Sequence, residues 1–353
     1  MLEIRAIELA EESGITPGFF ESFLNRHKLS FRARNRSGQT SPNVVKGFKF
    51  AALVLGWMVE YNVHVVFNTD QTGVQFEMWP NRTVSAKGVR TVWIRCGKKE
   101  KQRATAMLLA DSKGNKYPIF IVYKCNKSTI KEVDEENNRL RRSFGKIMWK
   151  EIRDLQDAYG VQIYGKQTAW WNGNIMIEWL RYLFGDRTPA SDPILLLLDS
   201  FSGQWTDDVK AYATVNVILK QVPHTLTWRC QPADVAWIKP LKDGLRRRWV
   251  DHLRSQLTRH QRRHGKSKKG KAKFQMTPPD CGDVVEWVTE EWLSLSDRVI
   301  VAGFAKCGFC DPLPHSNDEE EEQHEDITDL VNALQEVGFA DNDVGEVEDS
   351  VVG

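Results

Sequence analysis

No stretch of this 353-residue chain is apolar for long enough to cross a bilayer as a helix. The longest uncharged apolar run, Phe50 to Val59, is about half of the ~20 residues a span requires. No membrane partner is expected, and the run reads as one face of a core helix continuing from Val44, Val45 and Phe48. Cysteine is sparse: Cys96, Cys125, Cys230, Cys281, Cys307 and Cys310 are scattered, and no secretory leader is expected ahead of them. That favours reduced thiols in an intracellular compartment over a disulfide-built fold. The third shortage is local. From Asp318 to Gly353 there are 14 Asp or Glu and no Lys or Arg, so residues 1–317 carry 49 basic side chains against 33 acidic ones, the chain's 47 less the tail's 14. A net charge of +2 therefore conceals a body of +16. Such a body suits nucleic acid, and the acidic tail suits screening that charge, competing with DNA or contacting basic protein partners.

What is present divides the chain into three: residues 1–42, a helical segment and linker; 43–310, one large α/β domain; and 311–353, the acidic tail. In the first, a helix to about Glu12, a turn at Ser13–Gly18 with Pro17 at a helix start, and a second helix through Phe19, Phe20, Phe23 and Leu24 lead into a basic run. Arg26, Lys28, Arg32 and Arg34 in that run suit phosphate contacts. A helix-turn-helix fragment and an ordinary amphipathic pair both fit the pattern. Ser37 to Pro42 reads as a linker. In the second part, strands are expected at Val63–Asp70, Thr91–Arg95, Ala104–Ala110 and Tyr117–Tyr123, the last three forming a meander beside the first. Lys124 to Gly160 is charged and helical in character. Asn172–Phe184 reads as a helix, Ile194–Leu198 as a strand, Trp205–Lys220 as a helix, Thr225–Trp228 as a strand and Val235–His260 as a helix. Strands first, then helix and strand in alternation, predict a mixed sheet flanked by helices.

Arg246 to Lys273 holds 12 Lys or Arg against the single acid Asp251. Arg246, Arg247, Arg248, Arg262 and Arg263 are its candidate phosphate contacts, and its second half, Arg259 to Lys271, reads as a loop that fits solvent, phosphate or a nuclear-import receptor. Cys307 and Cys310 with His315 and His324 hold metal-like elements, but the spacing does not match a zinc site. Ile327, Leu330, Val331, Leu334 and Val337 have the spacing of a short amphipathic helix that binds a partner.

Three aspartates, Asp70, Asp199 and Asp234, each follow an apolar run and so stand where a buried sheet meets solvent. Carboxylates in such places suit Mg²⁺, which takes hard oxygen donors and keeps several waters. Taken singly, Asp70 reads as a strand-end turn acid; taken together the three point to phosphoryl transfer on nucleic acid. Lys239 and Lys242, just beyond Asp234, fit either solvent or phosphate.

The flanks of the three acids resemble those of DDE-superfamily transposases of the pogo branch, related to mariner elements. The motifs are Asn68-Thr69-Asp70-Gln71-Thr72-Gly73, Leu195-Leu196-Leu197-Leu198-Asp199-Ser200-Phe201 and Gln231-Pro232-Ala233-Asp234 followed by Lys239-Pro240-Leu241-Lys242, with 34 residues between the last two acids. Asp111-Ser112-Lys113-Gly114 before Tyr117-Pro118-Ile119, and Val299 to Gly308, extend the likeness. Ile15 to Gln39 is similar to the end of a centromere-protein-B-type DNA-binding module. Gln71 and Ser200 depart from the common Glu and Asn, at positions that are not ligands.

The resemblance implies a ribonuclease-H-like fold with Asp70 on the first strand, Asp199 after the fourth and Asp234 on or just before a helix. It implies a nuclear, Mg²⁺- or Mn²⁺-dependent enzyme that cuts and joins DNA at transposon ends as a homodimer. The alternative it leaves open is a domesticated, non-catalytic DNA-binding protein. In a two-metal scheme, ions about 3.5–4 Å apart activate the nucleophile and stabilise the departing oxygen. Asp70 is then expected to bridge both ions, and Asp199 and Asp234 to complete one site each.

Overall fold

A computed structural model describes residues 41–79, 89–94, 102–212, 216–264, 274–312, 334 and 340–344. The basic residues Arg26, Lys28, Arg32 and Arg34, and the likeness to a DNA-binding module around them, lie outside these. So do His315, His324 and most of the tail.

The core is a six-stranded sheet of order β5-β4-β3-β1-β6-β7. β1 (Val66–Gln75) lies at its centre, antiparallel to β3 (Arg103–Asp111) and parallel to β6 (Ile194–Leu198). β4 (Phe120–Lys124) returns antiparallel to β3. β5 (Gln162–Lys166) and β7 (Val217–Gln221) add in parallel at the two edges. This is the mixed sheet flanked by helices that the sequence predicts.

Strand alternation splits the core into two layers. Val66, Ala106, Leu108, Leu195 and Leu197 pack on one face of the sheet, against α1 (Ser41–Glu60), α7 (Ile238–His264), α8 (Cys281–Ser294) and α9 (Asp297–Cys307). Phe67, Met107, Leu109, Leu196 and Leu198 pack on the other, with Met176, Trp179 and Leu180 of α4 (Gly173–Phe184). β6 is buried along its whole length, as a continuous apolar run in a parallel strand requires. The β3–β4 turn consumes Asp111, whose carboxylate accepts N–H groups of Lys113 and Asn115 and the Tyr117 hydroxyl at 2.9–3.0 Å. The bland role of a strand-end aspartate is realised here. Between β4 and β5 come α2 (Lys131–Leu140) and α3 (Lys146–Tyr159), the latter stopped by Gly160 at φ 63°, a left-handed conformation that glycine adopts without strain.

Several expectations are corrected. The second strand, β2 (Val89–Ile94), does not join the meander; it pairs antiparallel with β8 (Ala340–Val344) from the acidic tail, because β1 already has β3 and β6 on its two edges. Thr225–Trp228 is not a strand: Pro223, at φ −60°, starts a single 3₁₀ turn, and the helix α6 (Thr227–Cys230) comes directly after it. Trp205–Lys220 divides into a short helix, α5 (Asp207–Ala211), and β7, since the open edge of β6 offers its apolar residues a parallel partner. β5 was hidden in sequence by its length and its Gly165. α1 begins at Ser41, inside the expected linker, and α7 runs to His264, into the expected loop. On α1, Phe50, Ala51 and Val54 are buried, whereas Val45 and Phe48 are exposed, so the core face is narrower than the apolar run suggests. Phe48 instead meets the Arg229 guanidinium, 4.9 Å from its ring centroid. No described helix is long and apolar enough to cross a membrane. From the tail, Leu334 is buried against Trp249, Leu253 and Leu257 of α7.

Candidate active site

β1 brings Asp70 to the layer that holds α7, because residues 66, 68, 70, 72 and 74 share one face of the strand. Asp70 is only 8% exposed, and its Oδ1 accepts the Gln71 N–H at 2.7 Å. Asp199 is half-buried one residue beyond β6. Its carboxylate accepts the Phe201 N–H at 3.2 Å, while its backbone carbonyl takes the Trp205 indole N–H at 2.7 Å. Asp234 is exposed on a five-residue π turn, Ala233–Trp237, that leads into α7. Pro240 explains why the helix is wide here: it has no N–H for the Ala236 carbonyl, and its ring crowds that carbonyl.

The three acids share one electrostatic field. Burial first, then Asp234 and Asp199, push the Asp70 carboxyl well above the usual carboxylate range, against the Gln71 N–H and Lys242. Burial likewise raises Asp199; the Phe201 N–H opposes it, Asp234 adds to it and His224 offsets it. Sequence order thus separates acids that the sheet brings together. Among the described residues no three His, Cys, Asp or Glu side chains stand close enough to enclose one ion. The acids are coupled through charge rather than contact.

Because folding raises the Asp70 pKa, the folded state binds more protons than the unfolded chain between the two values, so this site contributes less stability as pH rises through that window. Holding the buried Asp70 carboxyl in its charged form is a net cost to folding. Asp70→Asn, which keeps the acceptor for the Gln71 N–H, is expected to raise the Tm of the metal-free protein by a few degrees; an unchanged or lower Tm in calorimetry counts against this assignment.

Asn68 and Gln231, both fully buried, tie the acid-bearing segments together. The Asn68 amide donates to the Leu197 carbonyl at 3.1 Å and to Gln231 Oε1 at 3.3 Å, and its Oδ1 accepts the Ala233 N–H at 3.0 Å. Gln231 Nε2 donates to the Thr69 carbonyl at 3.2 Å. Both residues stand in the sequence motifs, but only the fold shows what they bridge. The signal in sequence was a polar amide inside an apolar strand.

The basic candidates Lys239, Lys242, Arg246, Arg247, Arg248, Arg262 and Arg263 all lie on α7. Lys242 faces the acids, close enough to lower the Asp70 pKa. Arg246 pairs with Asp243, Arg247 with Glu291, and Arg248 with Glu290 and Glu291, which fastens α7 to α8. Arg262 and Arg263 are exposed near its far end. Burial holds the Cys307 and Cys310 thiols above their ordinary range, which disfavours the thiolates a zinc site would need.

This chain belongs to the DDE superfamily endonuclease family, whose profile matches residues 101–304, more than half of its length. The matched span includes Asp199 and Asp234 and begins after Asp70. Among curated proteins the chain is similar to the human Pogo transposable element with KRAB domain, 26% identical over 331 residues, covering 90% of this chain and 49% of that protein. The mouse protein of the same name is 25% identical, with the same coverage. The chain spans about half the length of these relatives. Among solved structures it is similar to the Mos1 mariner paired end complex with Mn (TM-score 0.43, 11% identity, 85% of this chain and 70% of that one) and to the Mos1 Strand Transfer Complex (TM-score 0.42, 9% identity, 85% and 69%).

Proposed function

We propose that this protein is a divalent-metal-dependent transposase that binds DNA, cuts it at transposon ends and joins those ends to a target. The observation that carries the reading is the convergence of Asp70, Asp199 and Asp234 on one sheet edge, where Asp234 and Asp199 raise Asp70 and Asp234 also raises Asp199. Membership of the endonuclease family and likeness to pogo-element proteins support it. The residues fit a divalent cation: the donors are hard carboxylate oxygens, and Asp70 is buried beside like charges that a dication would relieve. Asp70, Asp199 and Asp234 would hold Mg²⁺ or Mn²⁺, two ions in our reading, and bound metal would supply activation of the attacking oxygen and stabilisation of the departing one.

The rest of the work falls to the chain itself. Lys242 beside Asp70, and Lys239 one turn before it, meet the phosphate next to the scissile bond. α7 is 27 residues long, ~40 Å at the helical rise, and carries its basic residues away from the acids along a DNA backbone. Two ends must meet for joining, so the working form is a dimer. The basic run of α7 favours residence in the nucleus, and the acidic tail favours basic partners.

The test is an incubation of the purified protein with supercoiled DNA carrying candidate terminal repeats, with Mg²⁺, Mn²⁺ or chelator. Metal-dependent nicking that needs Asp70 and Asp199, with recovery of joined products, is the expected result. Nicking without joining would leave a nuclease, and DNA binding without either would leave the non-catalytic alternative.

A further inference from the structure

We propose that Asn68 is a positioning residue that holds the three acid-bearing segments in register, with Gln231 as its second anchor; the inference rests on the metal-dependent reading above. Each backbone group that Asn68 binds stands one or two residues from an acid. Asn68 itself precedes Asp70 by two positions on the same strand face, Leu197 precedes Asp199 by two, and Ala233 immediately precedes Asp234. One amide therefore fastens β1, β6 and the π turn at the root of each carboxylate. Gln231 closes the loop by donating to the Thr69 carbonyl while accepting from Asn68.

The chemistry of this position admits few substitutes. An interior strand site favours Val or Ile, and a buried amide is tolerated only when its polar atoms are met. Asn68 has two N–H groups facing two acceptors and one carbonyl oxygen facing a backbone donor, so the neighbours also dictate its orientation. A flipped amide would set N–H against the Ala233 N–H. Aspartate would keep the bond from Ala233 but oppose its charge to the Leu197 carbonyl and Gln231 Oε1. The Ala233 N–H belongs to the first turn leading into α7, where helix donors lack an intrahelical partner. Asn68 supplies that partner at the one place that also sets where Asp234 stands.

Such support is expected to act on metal affinity more than on folding, because three mutually repelling carboxylates stay close only while their backbones are held. The experiment uses the full chain, Asn68→Ala, Asn68→Asp and Gln231→Ala, with Mn²⁺ as the probe. Calorimetric titration should show Mn²⁺ affinity falling by about 10–100-fold in each variant, with DNA affinity in chelator unchanged. Combining Asn68→Ala with Gln231→Ala should cost little more than either alone, as members of one network do. Parental Mn²⁺ affinity in folded Asn68→Ala, whatever its Tm, would overturn the proposal. A second measurement stands apart from metal: in Asn68→Ala the Ala233 amide should exchange with solvent at least tenfold faster while the amides of β1 keep their protection, and unchanged exchange at Ala233 would overturn the proposal. If the parent protein itself takes up no Mn²⁺, the metal-dependent reading fails, and the exchange result alone decides the role of Asn68.

Discussion

Asp199→Asn is expected to abolish strand cleavage while leaving DNA affinity near that of the parent. The substitution keeps shape and retains an oxygen for the Phe201 N–H, so β6 and the turn after it should fold unchanged. What it removes is one of three charges that share a field at the sheet edge. Metal-assisted displacement draws several kcal/mol from charge stabilisation in the transition state, and such a loss is about a thousandfold or more in rate. The check is single-turnover cleavage of a labelled terminal-repeat duplex at saturating Mg²⁺ beside a binding titration in chelator. Cleavage within about tenfold of the parent would remove Asp199 from the proposed chemistry. Equal loss of cleavage and binding would point to a damaged surface instead. Lowering the pH should weaken metal uptake from values above the ordinary carboxylate range, because Asp70 and Asp199 both hold their protons more tightly than free carboxyls do.

Trp237→Ala is expected to be the costliest single change to the fold, at about 3–5 kcal/mol, or roughly 10 °C in Tm. The side chain is fully buried at the end of the π turn, its ring centroid 5.9 Å from that of Trp292 and 5.6 Å from that of Phe304. Its indole N–H donates to the Ile300 carbonyl at 3.2 Å. Gly303 on the same helix as Ile300 lets that helix approach closely, since a Cβ there would come within 2.7 Å of the indole nitrogen and 2.8 Å of the Pro232 carbonyl. Removing the ring leaves a cavity directly beneath the turn that carries Asp234. Loss of stability should therefore come with loss of metal-dependent cleavage, and Trp237→Phe should retain more of both. A Trp237→Ala protein that melts like the parent in a thermal scan would show that the turn is anchored elsewhere.

The parts of the molecule that could be read in advance are those with a local signal. β6 is announced by five consecutive apolar residues, and its neighbour across the sheet, β1, by Val65, Val66 and Phe67. The turn at Asp111 follows from its own residues. Asp199 was legible for the same reason, since it closes a run that can only be buried, whereas Asp70, expected at a strand end, lies in the middle of the ten-residue β1. Asp234 was legible as a motif but misplaced in its surroundings: Thr225–Trp228 has strand-like composition, while Pro223 and the packing of Trp237 turn the segment between them into helix. β5 and the pairing of β2 with the tail had no local signal. Strands of five or six residues take their partners from whatever edge the fold leaves open.

By itself the sequence determined the mixed α/β class and the basic body with its acidic tail, because burial demands and charge are summed residue by residue. Only the tertiary structure decided that β1, β6 and the turn before α7 meet at one edge. It also decided that Lys242 and His224 face the carboxylates, and that Asn68 and Gln231 join segments far apart in the chain. Hydrogen bonds and field effects act through space, and their partners can lie 165 residues apart along the chain, as those of the bond from Ala233 to Asn68 do.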